Sequence, residues 1–185
     1  EKVYQDYTLE VTNPGGHSSA PVRDNAIYHL SQGLARLADY DFPVKLNDAV
    51  RGNFIQMAKI EGGPMGEAMA AVAKDPSNAA AVAAVARDPG RNSMMRTTCV
   101  ATMVNAGHAP NALPQRARAN VNCRILPGEG VEATREALVK VLADPAIKVT
   151  TVGEPSPVTP PPVLTKQIMG PIETVSAKLW PGVPI

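Results

Sequence analysis

Few side chains in this sequence have the types and spacing that metal binding or nucleophilic catalysis requires. Its 185 residues include three histidines and two cysteines, and none of them stands in a His-Glu-x-x-His, His-x-Asp or Cys-x-x-Cys arrangement. Two cysteines cannot form a disulfide framework, and a zinc site would need histidine ligands as well. Ser18 and Ser19 follow His17 directly, but neighbours in sequence do not make a catalytic triad. We therefore expect neither a metal site nor a nucleophile–base pair within this chain.

The glycine-rich stretches are poor candidates for phosphate binding. Residues 15–19 (GGHSS) lack the lysine of a P-loop, and residues 62–66 (GGPMG) do not match a dinucleotide-binding fingerprint. Turn geometry explains these glycines more simply, because glycine adopts backbone angles that other residues avoid. We therefore expect no phosphate site.

Three polar residues remain at predicted strand ends and loops, namely His17, Asn111 and Arg124. Each also has a purely structural explanation. His17 could be a turn residue, and Asn111 could be a loop residue that bonds its own backbone. Arg124 could be one of several polar residues on a solvated sheet face. Taken singly, none of the three specifies a function.

The elements that position these residues follow from the spacing of apolar residues. Alternation predicts strands, and apolar stripes at three- and four-residue spacing predict helices. Between them, two alanine-rich segments each end at Asp-Pro, where the residue before proline is disfavoured in a helix. The predicted strands span residues 3–12, 96–105, 116–125 and 147–151, the predicted helices span 23–38 and 130–142, and a helical insertion occupies about 41–95.

The order of elements predicts an α+β fold. Four strands and two helices in the order β-α-(helical insertion)-β-β-α-β form a ferredoxin-like split sandwich, with a four-stranded antiparallel sheet and both helices on one face. We expect this domain to cover residues 1–153, followed by a proline-rich linker at 154–162. Residues 163–185 then contain an isolated helix. Because the chain begins with Glu1 rather than Met and stops abruptly, we expect a piece of a longer protein.

Charge and hydropathy exclude several partners. The formal net charge is +1, which gives no electrostatic case for nucleic acid or an anionic membrane. The apolar runs are far shorter than the roughly 20 residues that span a bilayer. Localisation cannot be inferred from the sequence.

The two cysteines lie on neighbouring strands, but a hairpin centred near residue 110 would put Cys99 opposite roughly residue 120 rather than Cys123. We therefore expect buried free thiols rather than a disulfide.

Three segments together resemble a known family, the M20 metallopeptidases. Residues 13–21 (NPGGHSSAP) resemble its Gly-Gly-His-Ser-Ser signature. Residues 111–114 (NALP) and 119–128 (ANVNCRILPG) resemble its Asn-x-hydrophobic-Pro and Asn-x-Arg-hydrophobic-x-Pro-Gly stretches. The resemblance covers about residues 1–153 and implies the family's dimerisation or lid domain. The helical insertion resembles that of the carboxypeptidase-S-like and Gly-Xaa-carboxypeptidase-like members, and residues from about 163 resemble the return into the catalytic domain.

The resemblance implies a role for each of the three polar residues. His17 would enter the active site of the other subunit and hydrogen-bond the substrate carbonyl as negative charge develops there. Asn111 and Arg124 would hold the free carboxylate of a peptide or N-acyl amino acid substrate. The resemblance places zinc and a general base in a separate catalytic domain, so this chain would bind no cofactor and would be inactive alone. Where the family often has Gly-Gly, this chain has residues 104–108 (VNAGH), and we interpret His108 as a surface loop residue.

The resemblance also implies a homodimer. Its interface would be the edge strand between Arg96 and Val104 and the helix between Arg23 and Ala38. The strand itself also favours this interface, because it lies at the predicted sheet edge and has few charges or prolines to block pairing. The alternative is a stand-alone ferredoxin-like module that binds a small molecule or another protein without catalysis.

Overall fold

The computed structural model describes residues 1–183, which form six strands and seven helices. The strands are β1 Val3–Thr12, β2 Gly16–His17, β3 Thr98–Ala106, β4 Ala112–Leu113, β5 Arg116–Ile125 and β6 Lys148–Thr151. The helices are α1 Ala26–Ala38, α2 Asp48–Glu61, α3 Gly63–Lys74, α4 Ala79–Val85, α5 Pro89–Met95, α6 Val131–Leu142 and α7 Lys166–Leu179.

The four long strands form one antiparallel sheet in the order β3-β5-β1-β6. In chain order this is second, third, first and fourth, which is the ferredoxin-like arrangement. Residues of α1 and α6 pack with the sheet into one apolar cluster. The predicted fold class is confirmed, and so is the position of the second long strand, β3, at an edge.

Strands β1 and β5 supply the centre of the core. Alternate residues are buried along both strands, among them Tyr7, Leu9 and Val121, and the buried Tyr7 hydroxyl donates to the Val131 carbonyl at 2.7 Å. Burial raises the pKa of Tyr7 to about 12. Gln5 also lies on this face and is 3 % exposed. Its amide donates to the carbonyls of neighbouring backbone segments at 3.0 and 2.9 Å, which satisfies a polar group inside the core.

Helix α1 begins three residues later than predicted. The Asn25 side chain accepts a hydrogen bond from the Ile27 backbone at 2.9 Å, and Asn25 itself has extended backbone angles. Asparagine is among the preferred N-cap residues, because its side chain satisfies an amide that has no partner within the helix. Residues 23–25 therefore precede the helix.

The chain divides into two compact units. The first contains Glu1–Phe42 and Thr97–Thr159, and the second contains Pro43–Arg96 and the chain from Pro160 onward. The predicted helical insertion is confirmed as four helices, α2 to α5, with a separate apolar cluster that includes Phe54. Helix α7 buries none of its side chains. The predicted boundaries at 153 and 162 stay predictions, and residues 184 and 185 of the predicted final segment lie outside the described residues.

The expectation of free thiols is wrong, because Cys99 and Cys123 form a disulfide with a Cα–Cα distance of 4.1 Å. The strands pair Ala106 with Ala117, so the hairpin is centred beyond residue 110 and the partner of each β3 residue moves toward the C-terminus. A bulge at Thr102 then shifts the register by one residue and brings Cys99 opposite Cys123. Neither the loop centre nor the bulge has a signal in the sequence.

His29 joins the start of α1 to the end of α6. Its Nδ1 lies 2.6 Å from a carboxylate oxygen of Asp144, and its Nε2 lies 3.1 Å from one of Asp24. The hydrogen bond to Asp144 raises the pKa of His29, with Asp24 adding to it, although burial acts in the opposite direction. The same hydrogen bond lowers the pKa of Asp144. The charged forms of both partners are therefore favoured in the folded state.

The contribution of the His29–Asp144 pair to the free energy of unfolding should consequently be greatest at mildly acidic pH. The raised pKa of His29 means that its contribution is complete below the unfolded value of about 6.5 and is lost as pH rises through the folded value. The lowered pKa of Asp144 means that its contribution is lost as pH falls through its folded value, below about 4. The melting temperature of the parent should decline above pH 6.5, and that of the His29→Gln variant should not. An identical decline in variant and parent would contradict the assignment.

Reduction of the disulfide should lower the free energy of unfolding by about 3 kcal/mol, because the closed loop restricts the unfolded chain. Denaturant unfolding with and without dithiothreitol measures this difference. The matched control is the Cys99→Ala, Cys123→Ala double variant, which should not respond to the reductant. An unchanged midpoint, with two thiols titrated in the reduced protein, would show that the disulfide contributes nothing.

Candidate functional site

The structure brings His17 and Asn111 together. β2 pairs with β4 as a separate two-stranded sheet in which His17 stands opposite Ala112. The next residue extends the pairing, since the Ser18 amide donates to the Asn111 carbonyl at 3.0 Å. Two loops that are almost a hundred residues apart in sequence therefore form one structural unit. The sequence placed His17 and Asn111 in loops but did not predict that these loops pair.

Two glycines allow this loop to approach its neighbours. Gly15 and Gly16 have φ angles of +81° and +149°, in the region that favours glycine. A Cβ at Gly15 would lie 2.6 Å from Cγ of Gln115, and one at Gly16 would lie 3.2 Å from Cδ1 of Leu113. The first contact is closer than carbon atoms tolerate. The backbone angles therefore favour glycine at both positions, and a larger residue at Gly15 would also require the Gln115 side chain to move.

Hydrogen bonds fix the base of the same loop. The Asn13 backbone amide donates to the Gln115 carbonyl at 3.0 Å, and the Asn13 side chain donates to the Asp24 carboxylate at 2.8 Å. The Gln115 side chain in turn donates to the Pro14 carbonyl at 3.3 Å. The loop that carries His17 is thus tied both to the start of β5 and to the segment before α1.

The hydrogen bonds of His17 select one ring tautomer. The Ser19 backbone amide donates to Nδ1 at an N–N distance of 3.2 Å, and the Ser19 hydroxyl lies 2.7 Å from the same nitrogen. A backbone amide can only donate, so Nδ1 of the neutral ring must act as acceptor. The ring proton is then on Nε2. Because His17 is exposed, this N–H group can donate to a ligand.

Arg124 lies at the opposite end of the sheet. It stands in register between Tyr4 on β1 and Thr98 on β3, whereas the β5 residue nearest the His17 loop is Arg116. Eight residues of extended strand separate Arg116 from Arg124, a distance of about 26 Å. The guanidinium carbon of Arg124 lies 4.6 Å from the centroid of the Tyr4 ring, within the range of cation–π attraction. One subunit therefore does not bring Arg124 together with His17.

A hydrogen-bond network on the solvent face of the sheet holds Tyr4 in place. The Tyr4 hydroxyl donates to Asp6 at 2.7 Å, and the side-chain amides of Asn120 and Asn122 donate to the same carboxylate at 3.0 and 2.9 Å. Burial pushes the pKa of Asp6 upward, but these hydrogen bonds outweigh it and lower the pKa below its usual value. Our sequence reasoning missed Tyr4 and Asp6. Their positions two residues apart on one strand, opposite the polar face of β5, are the signal that could have found them.

Strand β3 presents an apolar edge. It is hydrogen-bonded to β5 alone among the described strands, and Val100, Met103 and Val104 are 59 %, 71 % and 67 % exposed. On α1, Ile27 and Tyr28 are also exposed. Large exposed apolar residues along a strand with one free edge are typical of a strand that pairs with another chain.

No metal site is found within residues 1–183, where no three His, Cys, Asp or Glu side chains are grouped so that they could hold an ion. None of the helices in this range is long and apolar enough to cross a bilayer. His108 is exposed in the loop that follows β3. The side chains described above are hydrogen-bonding and charged groups.

A protein family model matches most of this chain. The model of the M20 peptidase dimerisation domain matches residues 1–150. This chain belongs to that family. The expected self-association is thereby supported at the level of the family.

The relatives of this M20 dimerisation domain are hydrolases by name. It is 29 % identical over 175 residues to the mouse N-fatty-acyl-amino acid synthase/hydrolase PM20D1, covering 86 % of this chain and 32 % of the relative. It is 29 % identical over 162 residues to a probable carboxypeptidase S-like protein of Dictyostelium discoideum, covering 86 % and 31 %. The chain thus spans about a third of the length of these curated relatives.

A solved structure supports the fold. An M20 family metallo-carboxypeptidase from Sulfolobus solfataricus aligns with a TM-score of 0.51 at 19 % identity, covering 95 % of this chain and 49 % of that one. At this identity the likeness extends to the fold of the M20 dimerisation domain and no further.

The tautomer of His17 can be measured directly. Long-range ¹H–¹⁵N NMR at alkaline pH should show a protonated Nε2 and an unprotonated Nδ1, because the Ser19 amide occupies Nδ1. The Ser19→Ala variant keeps the backbone donor and should retain this tautomer. A ring protonated at Nδ1 in the parent protein would contradict the hydrogen-bond assignment.

Proposed function

We propose that this chain is the lid of a hydrolase that cleaves a peptide or N-acyl amino acid carrying a free carboxylate. The observation that carries the proposal is the pairing of β2 with β4, which joins the loops of His17 and Asn111. Membership of the peptidase dimerisation domain family supports it. The relatives' names support the substrate class, since they are an N-fatty-acyl-amino acid synthase/hydrolase and a probable carboxypeptidase.

In this proposal His17 stabilises the reacting carbonyl. Its Nε2–H donates to the substrate carbonyl oxygen, on which negative charge develops during attack by a nucleophile. A donor that is already oriented needs no reorganisation at that moment, and such donors are worth factors of about 100 to 1,000 in rate. The bonds from Ser19 to Nδ1 provide this orientation, because they fix both the ring and its tautomer.

Arg124 and Asn111 bind the substrate carboxylate in this proposal. The planar guanidinium presents two parallel donors to a carboxylate, and its charge is permanent. The Tyr4 ring supports one face of the guanidinium and leaves its edge available. Asn111 lies beside His17 rather than beside Arg124. Asn111 would therefore reach the carboxylate from the same subunit as His17, and Arg124 would reach it from the other subunit.

In this proposal, a homodimer that pairs through β3 brings the His17 end of one subunit's sheet toward the Arg124 end of the other subunit's sheet. When two copies of β3 pair antiparallel about a two-fold axis, the second sheet runs in the reverse direction. His17 of the partner subunit then lies toward the Arg124 end of the first subunit. The two β5 strands are about 14 Å apart across such a sheet, against about 26 Å along one strand. The exposed side chains of β3, and those of Ile27 and Tyr28 on α1, support this interface.

The zinc ion and general base that M20 hydrolases imply belong, in this proposal, outside this chain. Its described residues do not fit a metal ion, because they include no group of three suitable ligands. A bound metal would supply activation of the attacking water. The chain by itself should consequently bind no zinc and have no hydrolase activity.

Mixed dimers of the full-length enzyme test the shared site. His17→Ala should lower kcat by about 100-fold, and Arg124→Ala should mainly raise KM for substrates with a carboxylate. When the two variants are co-expressed, half of the dimers are mixed and each has one intact site. Activity at low substrate concentration should therefore recover to about a quarter of the parental value.

The control is Arg116→Ala, which removes an exposed arginine from the other end of β5 and should leave KM unchanged. Zinc content should equal that of the parent in every variant. Failure of the mixed dimers to recover activity, with dimers confirmed by light scattering, would show that His17 and Arg124 do not act across the interface. Normal kinetics of either single variant would remove that residue from the site.

A further inference from the structure

A second cation lies beside Arg124. Lys2 immediately precedes β1, and alternation places it on the same face of the sheet as Tyr4. The Lys2 ammonium donates to the Thr98 hydroxyl at 3.3 Å. Thr98 is the β3 residue directly opposite Arg124, and β5 lies between β1 and β3. The Lys2 side chain therefore crosses the end of β5 next to Arg124.

Each of these two cations is held directly by a neutral group. The negative charge of Glu129 acts on Lys2, and Asp6 feels the positive charge of Arg124. Arg124 rests on the Tyr4 ring, and Lys2 bonds a neutral hydroxyl. Two neighbouring cations repel one another, so an anion bound between them would be stabilised by both charges.

We propose that Lys2 and Arg124 together form the carboxylate site of the substrate, with Lys2 as a specificity-determining residue. The inference rests on the role proposed above for Arg124. Arg124 holds both carboxylate oxygens through its planar fork, and the Lys2 ammonium adds a third donor from the side of β1. A substrate whose carboxylate is replaced by a primary amide should gain no binding affinity from the Lys2 charge.

The surroundings of Lys2 make its charge sensitive to pH. Burial lowers the pKa of Lys2 to about 8, and the positive charge of Arg124 acts in the same direction, whereas Glu129 opposes both. Glu129 accepts a hydrogen bond from Thr97. Asp6, also on this face of the sheet, accepts hydrogen bonds from Tyr4 and two asparagines. Lys2 is therefore the group at this site that changes charge between about pH 7 and 9.

The test is steady-state kinetics of the full-length enzyme from pH 7 to pH 9.5, with a carboxylate substrate and its amide analogue. In the parent, KM for the carboxylate should rise about 10-fold as Lys2 loses its proton. Lys2→Gln should show the higher KM throughout. Lys2→Arg should keep the lower KM even at pH 9.5, because its charge is permanent. None of these changes should affect kcat for the carboxylate substrate or KM for the amide analogue.

The matched control is Lys148→Gln, which removes an exposed lysine from β6 of the same sheet and should behave as the parent does. Melting temperatures of all variants identify any change in folding. A parental KM in Lys2→Gln, while Arg124→Ala raises KM, would overturn this inference and leave the proposed function intact. If Arg124→Ala also has a parental KM, the proposed carboxylate site itself fails. A higher KM for Lys2→Gln with the amide analogue as well would show a structural role.

Discussion

The antiparallel register of β1 against β5 is the constraint on which the other features depend. Ten consecutive pairs, from Val3 opposite Ile125 to Thr12 opposite Arg116, make this the longest pairing in the sheet. A slip of one residue would exchange the core face for the solvent face along the whole strand. Tyr7 would then leave the core, and Tyr4 would no longer lie under Arg124. The same register places the His17 loop at one end of β5 and Arg124 at the other.

In the proposed function, this separation makes substrate binding depend on dimerisation. A site that needs both ends of the sheet is incomplete in one subunit, because extended strands are stiff and hold the ends about 26 Å apart. Antiparallel pairing of two edge strands reverses the second sheet and so reduces the distance. Dimerisation through β3 would therefore be a condition for substrate binding as well as a source of stability. The disulfide between Cys99 and Cys123 attaches this edge strand to the centre of the sheet.

Local features were accessible to sequence reasoning where a single physical effect dominates. Burial on one face produces the alternation along β5, and proline after aspartate ends α3, so both elements were predicted within a few residues. The start of α1 was misplaced because it is set by the Asn25 cap, whereas the prediction relied on an apolar stripe that does not mark where the helix begins. The disulfide was missed because it depends on a bulge at Thr102 and on where the hairpin loop closes.

By itself, the sequence determined the order of the elements, the two faces of the sheet and the family, since these depend on periodicity and on short motifs around His17, Asn111 and Arg124. Only the tertiary structure decided which of these residues meet. It joined His17 to Asn111 through β2 and β4, separated both from Arg124, and brought Lys2 beside Arg124. The reason is that strand pairing connects residues distant in the chain, and its register depends on backbone hydrogen bonds, which are common to all residue types except proline.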